Sequence, residues 1–125
     1  MKIASIASTQ FKEVLSKLMA APLPLKIAYK LHNIDKVARE ELEKYEKLRL
    51  QALQTFGKRK EDGSLDADEK GNVSFEEGKH QEFMEQLTEL LNVEFDHAKI
   101  KLEELGDKVE LTANEIAIIA PILDL

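Results

Sequence analysis

Residues 24–57 read PLKIAYKLHNIDKVAREELEKYEKLRLQALQTFG, and this stretch decides the fold. Its apolar residues recur at every third or fourth position, which is the spacing of one face of an α-helix. Pro24 fits a first helical turn because no amide hydrogen bond is needed there, and Gly57 is typical of the position after a helix. The pattern predicts one long helix with these apolar positions: Ile27, Leu31, Ile34, Ala38, Leu42, Tyr45, Leu48, Ala52 and Phe56.

The length of this helix predicts a partner for its second half. A helix of roughly 31 residues spans about 46 Å, whereas a compact domain of this chain length is roughly 35 Å across. We expect the far end to be covered either by another helix of the chain or by a second subunit. We therefore predict a partner interface at Tyr45, Leu48, Ala52 and Phe56, and with it a homo-oligomer.

Shorter helices flank the long one. Helical spacing predicts helices over residues 9–20, with Ser8 as N-cap, and over residues 76–92. Thr112 and Glu115 have the spacing of a capping box and open a C-terminal helix that is apolar on nearly every side. Such a helix is buried or docks on a partner, so Ile118, Ile122 and Leu125 complete the predicted interface.

Several short segments have the period of a strand. Residues 1–6 alternate apolar and polar residues, residues 58–75 contain two turn signals, and residues 93–102 and 108–111 are extended candidates. We predict an α+β fold, mainly helical, with a small antiparallel sheet or hairpin and an apolar C-terminal helix. Residues 1–125 are interpreted as a single domain with a hairpin insertion at about 58–75, and no internal repeat is evident.

Composition excludes several classes of protein. The net charge of −6 argues against nucleic acid as a partner, and the absence of cysteine removes disulfides and thiolate chemistry. The basic run at residues 58–60 lies at a helix C-terminus, where the helix dipole favours cations. No apolar stretch is long enough for a membrane span, and the N-terminus lacks the pattern of a signal peptide. We predict no nucleic-acid, membrane or cofactor binding.

The loop from Asp66 to Glu77 resembles the calcium loop of EF-hands, with acids at its first, third and twelfth positions. Lys70, however, occupies the fifth position, where an oxygen ligand belongs. We predict no metal site, and a calcium module using Asp66, Asp68, Asn72 and Glu77 remains the third functional hypothesis.

Catalytic motifs are not found in the sequence. It contains no nucleophile elbow and no glycine-rich phosphate loop, and its adjacent carboxylates carry little information in so acidic a chain. We predict that the protein is not an enzyme.

The order of these elements resembles a family of small uncharacterised proteins of tailed bacteriophages. The resemblance covers about residues 10–125 and rests on the order of these features: the long helix after Pro24, its stop at Gly57, the Gly/Asp/Asn-rich hairpin, the helix with Phe83, Leu87, Leu90 and Leu91, then Ile100, Leu102 and Leu105-Gly106, and the capped apolar C-terminal helix. It implies a location in the host cytoplasm or the virion, and phage or host proteins as partners. No site residues are carried over from that family.

These observations lead to two main hypotheses. The first is a non-enzymatic phage virion or assembly component that acts by oligomeric helix packing and protein binding. The alternative is a host-directed inhibitor that binds a defence protein or sequesters a small signalling molecule. The second would need a polar pocket between subunits, for which Lys26, Tyr29 and Lys30 are the candidates.

Overall fold

A computed structural model describes residues 1–124, and Leu125 lies outside the described residues. Six α-helices follow one another in the described chain, and the last continues into a 3₁₀ turn at Ala120–Ile122. Their bounds are α1 Ile3–Ile6, α2 Thr9–Ala20, α3 Leu25–Phe56, α4 Lys79–Leu91, α5 Leu102–Leu105 and α6 Ala113–Ile119.

The predicted helices are present in the structure, although α4 begins at Lys79, three residues after the predicted start at residue 76. The long helix is α3, with 32 residues. The Ser8 side chain accepts a hydrogen bond from the Phe11 amide at the start of α2. At the start of α6, the Thr112 hydroxyl and the Glu115 carboxylate each accept a hydrogen bond from the other residue's amide, over 3.1 and 3.0 Å. Local capping chemistry therefore sets these helix starts, as the sequence predicts.

The prediction of an α+β fold with a small antiparallel sheet is wrong. The structure is 60% helical, only 8% of it lies in strand or bridge pairing, and the described residues form no sheet. Pairing is limited to isolated bridges, such as the antiparallel one between Lys2 and Glu94 and the parallel one between Ile100 and Leu123. Pairing stops there because the chain turns at once into α1 after Lys2 and into α5 after Lys101.

The N-terminal segment shows why the strand prediction failed. Met1 and Ile3 are two residues apart, as on one face of a strand, whereas Ile3 and Ile6 are three residues apart, as on one side of a helix, and as part of α1 both are buried. A window of six residues does not distinguish the two periods.

The chain divides into two compact units. The first contains Met1–Leu42 and the described part of Val93–Leu125. Within it, α2 packs against α6, and the Lys17 ammonium lies 3.0 Å from the Glu115 carboxylate. Its core is continuous and apolar, built from these residues: Ile6, Phe11, Val14, Leu15, Leu18, Ile27, Leu31, Ile34, Ala38, Ile100, Leu105, Ile119, Ile122 and Leu123.

The second unit is Glu43–Asn92. Its buried apolar side chains are Tyr45 of α3 and Phe83 of α4, and Phe83 stacks 5.4 Å from Phe75. Between the helices, three segments are joined in a ring of backbone hydrogen bonds. The Asp66 amide donates to Lys58, the Ser74 amide donates to Asp66, and the Lys58 amide donates to Ser74, over 2.7–2.8 Å. This eight-residue spacing is a backbone repeat that the sequence analysis did not detect.

Candidate protein-binding surfaces

The predicted interface on the second half of α3 is largely covered within the chain itself. Tyr45 is only 7% exposed, and Ala52 and Phe56 are half-buried. Burial raises the pKa of the Tyr45 hydroxyl, while the nearby Arg49 guanidinium partly opposes the shift. Leu48 differs, with 46% of its surface exposed. Of the four residues, Leu48 is therefore the one most available to a partner.

The C-terminal part of the predicted interface also lies mostly inside the chain. Ile122 is fully buried in the core of the first unit, and Ile118 is half-buried against that core. Leu125 lies outside the described residues. Ile122 is therefore a folding residue in this structure and presents no surface to a partner.

The residues predicted for a ligand pocket occupy the first two turns of α3. Tyr29 is 69% exposed, and the Lys30 ammonium lies 3.7 Å from the Glu104 carboxylate. The pKa of Glu104 is lowered, mainly because its carboxylate accepts a hydrogen bond from the Lys101 amide, with Lys30 and Lys26 adding positive charge. Because Tyr29 faces solvent, an enclosed pocket at this position requires a second molecule.

The exposed side of α3 in the first unit combines apolar and basic side chains. Leu25, Tyr29, His32 and Lys36 are spaced four, three and four residues apart, so they share one side of the helix. That side is opposite the buried stripe of Ile27, Leu31 and Ile34. We call these four residues together with Lys26 the basic α3 surface. Leu25 is 88% exposed, although it is a large apolar residue on a regular helix.

The exposed side of α4 in the second unit is acidic. Gln81, Met84, Glu85, Thr88 and Glu89 line an open groove of about 420 Å³, and we call these residues the acidic α4 surface. The Gln81 amide donates to Glu85, and the Thr88 hydroxyl donates to the Met84 carbonyl within the same helix. Met84 is 43% exposed, and Thr88 is exposed one helical turn after it.

The residues considered for calcium have another role in the structure. The Asp68 carboxylate accepts hydrogen bonds from the amides of Lys70 and Asn72 and from the Asn72 side chain, over 2.9–3.2 Å. These bonds lower the pKa of Asp68. In residues 1–124, no group of three or more histidine, aspartate or glutamate side chains is arranged to hold a metal ion. Asp68 stabilises its own turn.

A further groove of about 350 Å³ opens in the first unit, lined by Met1, Phe95, Asp96, His97, Lys99 and Pro121. The His97 ring nitrogen Nδ1 lies 2.7 Å from its neighbour's carbonyl at Ala98, and the ring contacts Phe95 edge-on. These contacts hold the imidazole against its own segment.

Leu25, Leu50 and Met84 are exposed apolar residues that were not predicted from the sequence. The sequence contains an indication of this exposure, because each of the three residues lies outside the apolar stripe of its own helix. Leu50, for example, lies two residues from Leu48, which is about 200° around the helix.

Comparisons with known proteins give no relative. No family model, curated protein or solved structure matches the chain. Among the described residues, no helix is both long enough and apolar enough to cross a membrane.

Proposed function

We propose that this chain is a non-enzymatic protein that acts by oligomeric helix packing and protein binding, as a virion or assembly component of a tailed bacteriophage. The observation that carries the proposal is the exposure of large apolar side chains on regular helices. Leu25 and Tyr29 are exposed on α3 in the first unit, and Leu48 and Met84 are exposed in the second. Apolar side chains grouped on a rigid surface are typical of sites that bind other proteins.

The second unit adds support from its packing. Leu48 lies at the edge of the stripe formed by Tyr45, Ala52 and Phe56, so contact with a partner there would extend an existing apolar cluster. Burying one leucine side chain contributes about 1.5–3 kcal/mol. One such side chain does not offset the entropy lost on association. A stable interface therefore has to bury several of them at once.

The test of self-association is the mass in solution of the Leu48→Asp variant beside the unmodified chain. Light scattering should give a multiple of 14.2 kDa for the unmodified chain and a smaller mass for the variant. Glu43→Asp, at an exposed position of the same helix, is the matched control and should keep the larger mass. Equal masses for all three proteins would show that Leu48 does not contribute to an interface.

The phage role rests on the family resemblance of the sequence. Quantitative mass spectrometry of gradient-purified particles of the source phage tests it directly. A fixed copy number in the particles would support a virion component. Absence from the particles together with strong expression during infection would favour an assembly factor or the host-directed inhibitor, which a pull-down from infected cells would then separate.

A further inference from the structure

We propose that the basic α3 surface of one copy of the chain packs against the acidic α4 surface of a second copy. This inference rests on the proposed self-association and names the two surfaces that meet. The contact joins two different surfaces, so each copy can use its basic α3 surface in one contact and its acidic α4 surface in another.

The opposite charges of the two surfaces indicate that the partner is a second copy of the chain. The chain is acidic overall, yet the basic α3 surface contains Lys26, Lys36 and His32 and no acidic residue, while Lys30 beside it is paired with Glu104. Helix α4 has the opposite balance, with Glu82, Glu85 and Glu89 against Lys79. The Lys79 ammonium lies 3.4 Å from Glu82, which leaves Glu85 and Glu89 as the carboxylates of the acidic α4 surface. Opposite charges of this kind steer association and fix which surfaces meet.

Side chains on the two surfaces also have matching spacing. Leu25 and Tyr29 are four residues apart on α3, and Met84 and Thr88 are four residues apart on α4. Side chains four residues apart form the ridges that interdigitate when two helices pack. Leu25 and Tyr29 of one copy would therefore lie against the groove beside Met84 and Thr88 of the other copy. In this contact, Lys26 and Lys36 of the first copy would face Glu85 and Glu89 of the second.

An exchange of charges tests the contact. Lys26→Glu/Lys36→Glu reverses the basic α3 surface, and Glu85→Lys/Glu89→Lys reverses the acidic α4 surface. Each double variant alone brings like charges together, so we expect the dissociation constant for self-association to rise about tenfold or more. In an equimolar mixture, every contact between the two variants pairs opposite charges again, and association should return.

The controls match the change in net charge at exposed positions elsewhere. Lys12→Glu/Lys47→Glu controls for the first double variant, and Glu13→Lys/Glu43→Lys controls for the second. Sedimentation velocity at one ionic strength compares all five proteins and the mixture. Far-ultraviolet circular dichroism verifies that each variant is folded.

The outcomes separate the inference from the proposed function. Loss of association in both double variants, with recovery in the mixture, supports the contact. An unmodified chain that assembles while the double variants behave like their controls overturns this inference and leaves self-association through another surface, such as the one around Leu48. An unmodified chain that stays at 14.2 kDa overturns both.

Discussion

Gly57 packs so closely against Leu65 that a Cβ atom on the glycine would lie 2.7 Å from the Leu65 Cδ2 atom. The same atom would lie 2.5 Å from the Leu53 carbonyl oxygen and 2.9 Å from a methyl group of Val73. Gly57, Leu65 and Val73 are each eight residues apart, directly before the three residues joined in the backbone ring. The sequence predicts glycine here as a helix stop, whereas the structure shows that close packing requires it.

Replacing Gly57 should therefore destabilise the second unit. Gly57→Ala places a methyl group against the Leu53 carbonyl oxygen and the methyl groups of Leu65 and Val73, and overpacking of this kind costs about 1–3 kcal/mol. Gly71→Ala is the control, because Gly71 has a positive φ of 83° but nothing near its Cβ position. A left-handed alanine costs about 1–2 kcal/mol. Urea denaturation would contradict the packing argument if Gly57→Ala lost clearly less stability than Gly71→Ala.

The burial of Ile122 predicts a folding defect on truncation. Ile122→Ala should lower the free energy of unfolding by about 2–5 kcal/mol, because it leaves a cavity in the core of the first unit. Leu25→Ala removes a comparable side chain from an exposed position and should change stability by about 0.5 kcal/mol or less. Thermal and urea denaturation of both variants measure the difference, and similar losses for the two would contradict the assignment of Ile122 to the core.

The capping box of α6 predicts a smaller effect. Thr112→Ala removes the hydroxyl that accepts from the Glu115 amide and should cost about 1 kcal/mol. Thr9→Ala is the matched control, since Thr9 lies at an exposed position inside the first turn of α2. Chemical denaturation should leave the stability of the control nearly unchanged. An equal loss in both variants would show that the Thr112 hydroxyl has no special role.

The pH dependence of stability should report on Glu115. Its pKa is lowered below the ordinary value of 4.5, chiefly because the carboxylate accepts from the Thr112 amide and then because it pairs with Lys17. The folded state therefore holds the charged form more tightly than the unfolded state does. The resulting stability is fully present above pH 4.5 and is lost as the pH falls through the lowered pKa.

Two variants check this linkage. Glu115→Gln should show a shallower loss of stability on acidification than the unmodified chain. Lys17→Gln should raise the pKa of Glu115 while leaving it below 4.5, because the amide of Thr112 still donates. Nuclear magnetic resonance titration of the Glu115 carboxyl measures the shift directly. A carboxyl that titrates at or above 4.5 in the unmodified chain would contradict the account.

The helices could be predicted because their signals are local. The spacing from Ile27 to Phe56 and the caps at Ser8 and Thr112 are properties of a few neighbouring residues, and the structure has helices at these places. The predicted sheet had no such support, because Met1 and Ile3 have the spacing of a strand whereas Ile3 and Ile6 have the spacing of a helix. The ring of Lys58, Asp66 and Ser74 depends on backbone hydrogen bonds, which leave little trace in side-chain pattern.

The candidate surfaces were harder to predict for a different reason. Periodicity shows that Tyr45, Leu48, Ala52 and Phe56 share one side of α3, but it does not show which of them the rest of the chain covers. Only packing distinguishes buried Tyr45 from exposed Leu48. Leu25 and Met84 are exposed because they depart from the buried stripes of their helices, and this departure becomes informative once the buried side is known.

Self-association through helical surfaces is the central claim, and sedimentation equilibrium of the unmodified chain over a range of concentrations tests it most directly. We expect an average mass that rises with concentration from 14.2 kDa toward a multiple of that value. A mass that stays at 14.2 kDa at every concentration would contradict it.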